Sequence, residues 1–492
     1  MEWFEADGYQ LARMLLQRGV ALVYLVAFCN VLAQWRPLLG ERGLLPVPAF
    51  VERVSPRRAP SLFHWRYSDR LAMLLGGVGA AVSAALLVGL PQAGPPWVAM
   101  ACFALLWVLY LSFVNVGQVF YGFGWESLLL EAGFLAIFIG SGDLAPPWLM
   151  LLAFRWLLLR VELGAGLIKL RGDDCWRRLT CTEYHHETQP LPGPLSWRFH
   201  HLPRWAHRVE VGSNHAVQLV VPFGLLLPQP VAGVSATLIM VTQAWLMVSG
   251  NFAWLNLVTI VLAFAALPDA WLAWLPDVVF GFEGVASAET LGTPGWFLVL
   301  VALVAVLILW RSWYPVTNLL SSRQRMNASH DPLRLVNSYG AFGSVTRVRH
   351  ELVIEATDGD ATADDAAWRA YEFRGKPVAP DRRPPQVAPY HLRLDWLLWF
   401  AAMGPMPGRE VWFRQLLERL LDADPAVLGL LRHAPFGGRP PTAVRVLRYR
   451  YRFASPSERR QQRRWWVRDQ RTEVVPPVTR AGRSRPGGRL EG

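Results

Sequence analysis

Lys169, Asp173, Asp174, Cys175, Cys181, His185, His186, His200, His201 and His207 all fall in one polar interlude, residues 164–214, between two apolar stretches. Each residue type has chemistry to offer. A lysine whose pKa is lowered by burial serves as a base. Two thiols bridge or bind metal, and imidazoles exchange protons or ligate. The interlude also carries Trp176, Trp197 and Trp205 with several Pro-anchored turns. It therefore reads as a folded loop held against a hydrophobic scaffold, the usual address of function.

Spacing narrows these options. Cys175 and Cys181 have five residues between them, which permits a disulfide if the loop faces an oxidising compartment. That spacing is wrong for a CxxC redox pair. The two thiols with His185 or His186 match no common zinc pattern, so no metal is expected. His185–His186 and His200–His201 are adjacent pairs, so neither pair shares one face of a helix or strand. One imidazole of each pair is expected inward on a hydrogen-bond partner and the other outward, in structural roles. Cys29 and Cys102 lie in apolar runs and read as small buried hydrophobes.

The elements that position this loop are apolar. Hydrophobic residues make up 53% of the 492-residue chain and charged residues 17%, with a mean hydropathy of +0.23. Soluble domains carry charge on about a quarter of residues. Runs with few charges occur near 19–35, 71–90, 96–114, 127–142, 146–163, 215–230, 232–249, 254–275 and 295–313. A spanning helix needs about 20 apolar residues, and nine spans are expected. The leading MEWFEAD is acidic, unlike a secretory signal, so the first span reads as a retained anchor. Glu131, Arg155, Arg160 and Glu162 sit inside these runs, where charge is expensive. Glu126 or Glu131 pairing with Arg155 or Arg160 would clamp two neighbouring helices. The functional alternative is a polar cavity opening toward the 164–214 loop.

Beyond residue 313 the composition changes. Residues 314–492 hold 30 of the 49 Lys+Arg and 18 of the 37 acids, whereas residues 1–313 balance at 19 against 19. Alternation in 344–356 and 443–454 predicts strands, as does 371–377, while 392–403, 409–421 and 423–432 have helical spacing. The reading is a polytopic α-helical membrane bundle over 1–313, including the 164–214 loop, then an α+β domain over 314–478 and a disordered tail over 479–492. The chain has 47 arginines and two lysines, a bias that follows a GC-rich coding sequence, and no nucleic-acid motif. Arginines near a bilayer more simply meet anionic lipid head groups. Basic loops at 34–70 and 164–214 stand against an acidic one at 269–294, which places the basic loops and the C-terminus in the cytoplasm by the positive-inside rule.

The words GLIKLRGDDCWRRLTC (166–181), YHHETQPLPGPLSW (184–197), NHAVQLVVPF (214–223) and SGNFAWLNLVTIV (249–261) closely resemble the lipase maturation factor family. So do VNSYGAFGSVTRVRHELVIE (336–355), RRPPQVAPYHLRLDWLLWFAA (382–402) and WWVRD (465–469). The resemblance covers roughly residues 10–478. It implies a multi-pass protein of the endoplasmic reticulum membrane that helps secreted lipases reach an active fold, with the 164–214 loop and the C-terminal region facing the lumen. A bacterial chain would sit in the inner membrane instead. The resemblance implies lipase-like clients, no cofactor and no catalysis. GLIKLRGDDCW also looks like the G-x-x-K-L-x-x-D-W signature of the vitamin K-dependent carboxylase family, from which it departs by an extra Asp and by Cys175 before Trp176. That likeness would make Lys169 a base in a membrane enzyme. A lipid-binding or transport protein using the intramembrane charges is the third class. In the maturation-factor reading Lys169 pairs with Asp173 or Asp174 and orients the loop.

Overall fold

The computed structural model describes residues 4–142, 144–273, 292–404 and 406–480. The first part is helical: α1 (Gln10–Leu39), α2 (Asp69–Val88), α3 (Pro96–Val116), α4 (Gly124–Ala136), α5 (Trp148–Arg171), α6 (Thr182–Thr188), α7 (Arg204–Leu219), α8 (Val231–Ser249), α9 (Leu255–Ala263) and α10 (Gly295–Arg311). Five stretches are long and apolar enough to cross a membrane, namely Asp7–Leu39, Asp69–Val88, Pro96–Val116, Val231–Ser249 and Gly295–Leu320.

The expected count of nine spans is therefore corrected among the described residues. The 127–142 run folds as the 13-residue α4, about 20 Å long against a hydrocarbon core of about 30 Å. The 215–230 run breaks where α7 stops at Leu219 and Pro222 sits in a separate turn, Val221–Gly224. The 254–275 run yields only the short apolar helix Leu255–Ala266. The 146–163 run becomes α5, which is long enough at 24 residues but carries Arg155, Arg160, Glu162 and Lys169. All four of these side chains are buried in protein. Charged side chains on such a helix face the bundle interior, and α5 packs against α4, α7, α9 and α10.

The C-terminal part builds an antiparallel sheet from β1 (Arg349–Thr357), β2 (Arg369–Ala370), β3 (Ala443–Phe453) and β4 (Trp466–Thr479), in the order β2-β1-β3-β4. The two alternating segments become β1 and β3, paired without a slip from Arg349 opposite Tyr451 to Thr357 opposite Ala443. Glu355 faces Arg445 across the ladder, with a 2.8 Å ion pair. The 371–377 expectation shrinks to Glu372–Phe373, which pairs with Leu431–His433 at the end of the segment read as a third helix. Helices α11 (Arg393–Met403) and α12 (Val411–Leu421) follow their helical spacing. Strand β4 carries Pro476 and Pro477. It occupies the sheet edge, where a missing N–H donor costs no ladder bond. The remainder of the tail, 481–492, lies outside the described residues, as do Asp277, Glu283 and Glu289 of the acidic loop.

Bundle and C-terminal part are tightly joined. Asn30 and Gln34 of α1 donate to the His391 carbonyl at 2.6 and 2.7 Å. Gly164 and Gly172 of the α5 end face the carbonyls of Tyr339 and Gly343 so closely that a Cβ at either position would collide with backbone. Glycine is what lets the 339–343 segment lie flat on α5.

Candidate functional site

The 164–214 segment folds onto the C-terminal part rather than looping free. Asp173 donates its N–H to the Gly343 carbonyl at 2.9 Å, and its carboxylate accepts from Val345 N at 2.6 Å. Trp176 Nε1 donates to the Phe342 carbonyl at 2.9 Å, and Trp197 Nε1 to that of Ala454 at 2.7 Å. Arg349 of β1 donates to the carbonyls of Glu187, Gln189 and Pro190, and Glu351 holds that guanidinium from the other side. Two candidate spans, Val231–Ser249 and Gly295–Leu320, lie between the loop and the C-terminal part among the described residues. The direct contacts between the loop and the C-terminal part put the two side by side.

A cleft of about 1310 Å³ opens between this loop, α5, α7, α8 and the C-terminal segments. Its floor is polar. Lys169 Nζ donates to Asn214 Oδ1 and Gln218 Oε1, both at 2.8 Å, and lies 5.0 Å from the Trp176 ring centre. Glu162 accepts from Gln243 Nε2 at 2.6 Å. The expected pairing of Lys169 with Asp173 or Asp174 is not found. Helix α5 stops at Arg171, and Gly172 leaves helical geometry (φ −86°, ψ −135°), so Asp173 is not one helical turn beyond Lys169. Asp174 instead pairs with Arg177 and Arg178 at the surface.

The rim of the cleft is apolar. Trp205 and Val209 from α7, Val241 and Trp245 from α8, and Phe400 and Met403 from α11 all line it and are exposed. Val241 and Trp245 belong to a candidate span, where exposed apolar side chains meet lipid. Trp205, Val209, Phe400 and Met403 lie outside the candidate spans, and exposed apolar groups gathered there mark a binding site.

Of the residues singled out in the sequence, Lys169, Glu162, Asp173, Trp176, His185 and His186 line the cleft. Cys175 and Cys181 lie behind it, joined in a disulfide with Cα atoms 4.8 Å apart and packed with Trp176 and Val211. His186 is buried beside Glu210, and half-buried His185 faces the cleft. Burial, then the neighbouring His186 and Lys169, pushes His185 down to about 3, which keeps it neutral. His200 sits 3.5 Å from Glu187 and is also pushed down to about 3, by burial and then by His201 and other imidazoles. His201 Nδ1 lies 2.8 Å from the Trp197 carbonyl. His200 and His201 are both half-buried, so the expected inward and outward split fails there. Cys29 is exposed on α1 and Cys102 is half-buried, against the expectation that both are buried.

The intramembrane charges divide. Arg160 pairs with Glu131, whereas Glu126 pairs with Arg393 of α11 at 2.6 Å. Arg155 donates to the Ala265 carbonyl at 2.9 Å and meets no carboxylate among the described contacts. Asn214, Gln218 and Gln243 were overlooked. Amides inside otherwise apolar runs were the available signal, since such groups need partners in a dry bundle.

These long words and this architecture recur in known proteins. The sequence model of the lipase maturation factor transmembrane domain matches residues 11–274, and that of the lipase maturation factor C-terminal domain matches 335–476. The chain belongs to the lipase maturation factor family. Lipase maturation factor 1 of Bos taurus is 41% identical over 96% of this chain and 90% of its own length. The Homo sapiens protein of that name is 40% identical over 96% and 88%. Lipase maturation factor 2 of Homo sapiens is 30% identical over 96% and 83%. No solved structure matches. In this chain the cleft is lined by residues of both matched segments, with its floor on the first and part of its wall on the second. These relatives are animal proteins and lend no support to a bacterial reading.

Proposed function

We propose that this chain is a membrane-bound maturation factor for secreted lipases, and that the cleft beside Lys169 holds an apolar segment of the client until it packs. Membership of the family supports the role. The observation that carries the site is the joining of an exposed apolar rim to a cleft large enough for several side chains. A maturation factor must shield apolar surface that the client has not yet buried, and a concave aromatic rim does so without chemistry. On this reading the 164–214 loop and the C-terminal part face the lumen of the endoplasmic reticulum, where a Cys175–Cys181 disulfide persists. Surface arginines meet lipid head groups rather than nucleic acid. The carboxylase-like reading, a lipid carrier and an inner-membrane location are not favoured. Lys169 is better understood as a buried cation anchoring α7 to α5.

Rim substitutions test the site without touching the core. Trp205→Ser and Phe400→Ser remove large exposed side chains. Loss of an aromatic anchor is worth on the order of 1–2 kcal/mol, roughly a 5–30-fold loss in client affinity. Secreted lipase activity per lipase synthesised should fall several-fold in the double variant, at unchanged yield of the variant itself. Full lipase activity with the double variant would remove the cleft from the client-binding role.

A further inference from the structure

His186, His207 and Glu210 form a cluster that the client reading does not use. His207 and Glu210 are three residues apart on α7, so both leave the same helical face. His186 approaches from α6. His186 Nε2 lies 3.0 Å and His207 Nδ1 3.8 Å from the same atom, Glu210 Oε2. One ligand atom from each of the three falls within 4.8 Å of the others. Tetrahedral bonds of about 2.0–2.1 Å place neighbouring ligand atoms about 3.3 Å apart. Small side-chain adjustments therefore bring the three atoms onto one centre.

The surroundings suit such a centre. Both imidazoles are 2% exposed, so their positions are fixed by packing. Trp245 Nε1 donates to the other carboxylate oxygen, Glu210 Oε1, at 2.8 Å. That bond orients the carboxylate so that Oε2 turns toward the histidines, the service an outer partner gives a metal ligand. Thr182 Oγ1 lies 3.2 Å from His207 Nδ1, a contact that a cation on Nδ1 would replace. His186 and Glu210 line the cleft, which leaves one side of the cluster open to it.

We propose that His186, His207 and Glu210 bind one divalent transition cation of the zinc class. Two imidazoles and one carboxylate form a borderline donor set that suits Zn²⁺ over Mg²⁺ or Ca²⁺, which favour oxygen. A fourth position faces the cleft, where water or a client carboxylate completes the shell. The ion would tie α6 to α7 at the edge of the client surface. Without it, the same three residues form hydrogen bonds only.

The test uses untagged full-length protein in detergent, stripped with a chelator and dialysed against micromolar zinc chloride. Elemental analysis should find about one zinc per chain. Cobalt chloride should give the visible absorption of a low-symmetry nitrogen and oxygen site. His207→Ala and Glu210→Gln should each lose the zinc and the cobalt signal, while His201→Ala keeps both. Zinc should raise the unfolding temperature of the wild type and leave that of Glu210→Gln unchanged. The wild-type measurements stand even if a variant fails to fold. Absence of stoichiometric zinc from the wild type would overturn the site. So would zinc retained by the folded His207→Ala, Glu210→Gln double variant, which would place the ion elsewhere.

Discussion

Arg393→Ala is expected to destabilise the folded chain by about 3–5 kcal/mol, the usual cost of removing one partner from a buried ion pair. Arg393 and Glu126 are both fully buried, and their 2.6 Å contact joins α11 to α4. The guanidinium also donates to the Phe120 carbonyl at 2.7 Å and Asn30 Oδ1 at 2.8 Å, and stacks 3.4 Å from the centre of the Tyr121 ring. Truncation leaves the Glu126 carboxylate in the bundle with Tyr110 as its main remaining donor. The energy is large because an isolated buried charge has neither water nor a counter-ion. Thermal unfolding in detergent measures it. The Glu126→Gln, Arg393→Ala double variant should recover part of the loss, since no orphan charge remains. A loss below about 1 kcal/mol for Arg393→Ala would mean that the pair is not a clamp.

Glu131→Ala should cost a similar 3–5 kcal/mol, but its first effect should be local. Glu131 pairs with Arg160 and accepts from Asn337 N and Asn337 Nδ2 at 2.9 Å, and from Tyr339 OH at 2.7 Å. One carboxylate thus holds α4, α5 and the 337–339 segment together. Its loss leaves Arg160 with the Asn337 carbonyl as its remaining close acceptor. Limited proteolysis should cut the 323–345 segment faster in Glu131→Ala than in wild type, before the rest of the bundle opens. Glu131→Gln keeps the shape and loses the charge, so it should fall between the two. Equal protection of that segment in all three proteins would contradict the assignment.

How far the sequence anticipated this arrangement depends on the distance between partners. The strands β1 and β3 were legible because alternation is a local property that the sheet face enforces. Lys169 stood out as a lysine at the end of a long apolar run, and the structure places it on the cleft floor. Its partners were not legible. Asp173 looked correct at helical spacing, but the helix ends at Gly172, and the amides that hold Lys169 stand 45 and 49 residues away. The Glu126–Arg393 pair joins residues 267 apart, and no local pattern reports such a contact. Span counting failed for a different reason. Hydropathy runs register apolar composition, whereas α4, α5 and α9 owe theirs to burial against other helices.

Whether the cleft holds a client is decided most directly by photocrosslinking in cells that make a secreted lipase. A photoreactive residue is placed at Trp205 or Phe400 on the rim, and at Trp65 as a control, which is 86% exposed and does not line the cleft. Adducts with newly made lipase are expected from Trp205 and Phe400, fading as the lipase gains activity, with none from Trp65. No lipase adduct at either rim position, or an equal yield from Trp65, would contradict the cleft as the site where the client is held.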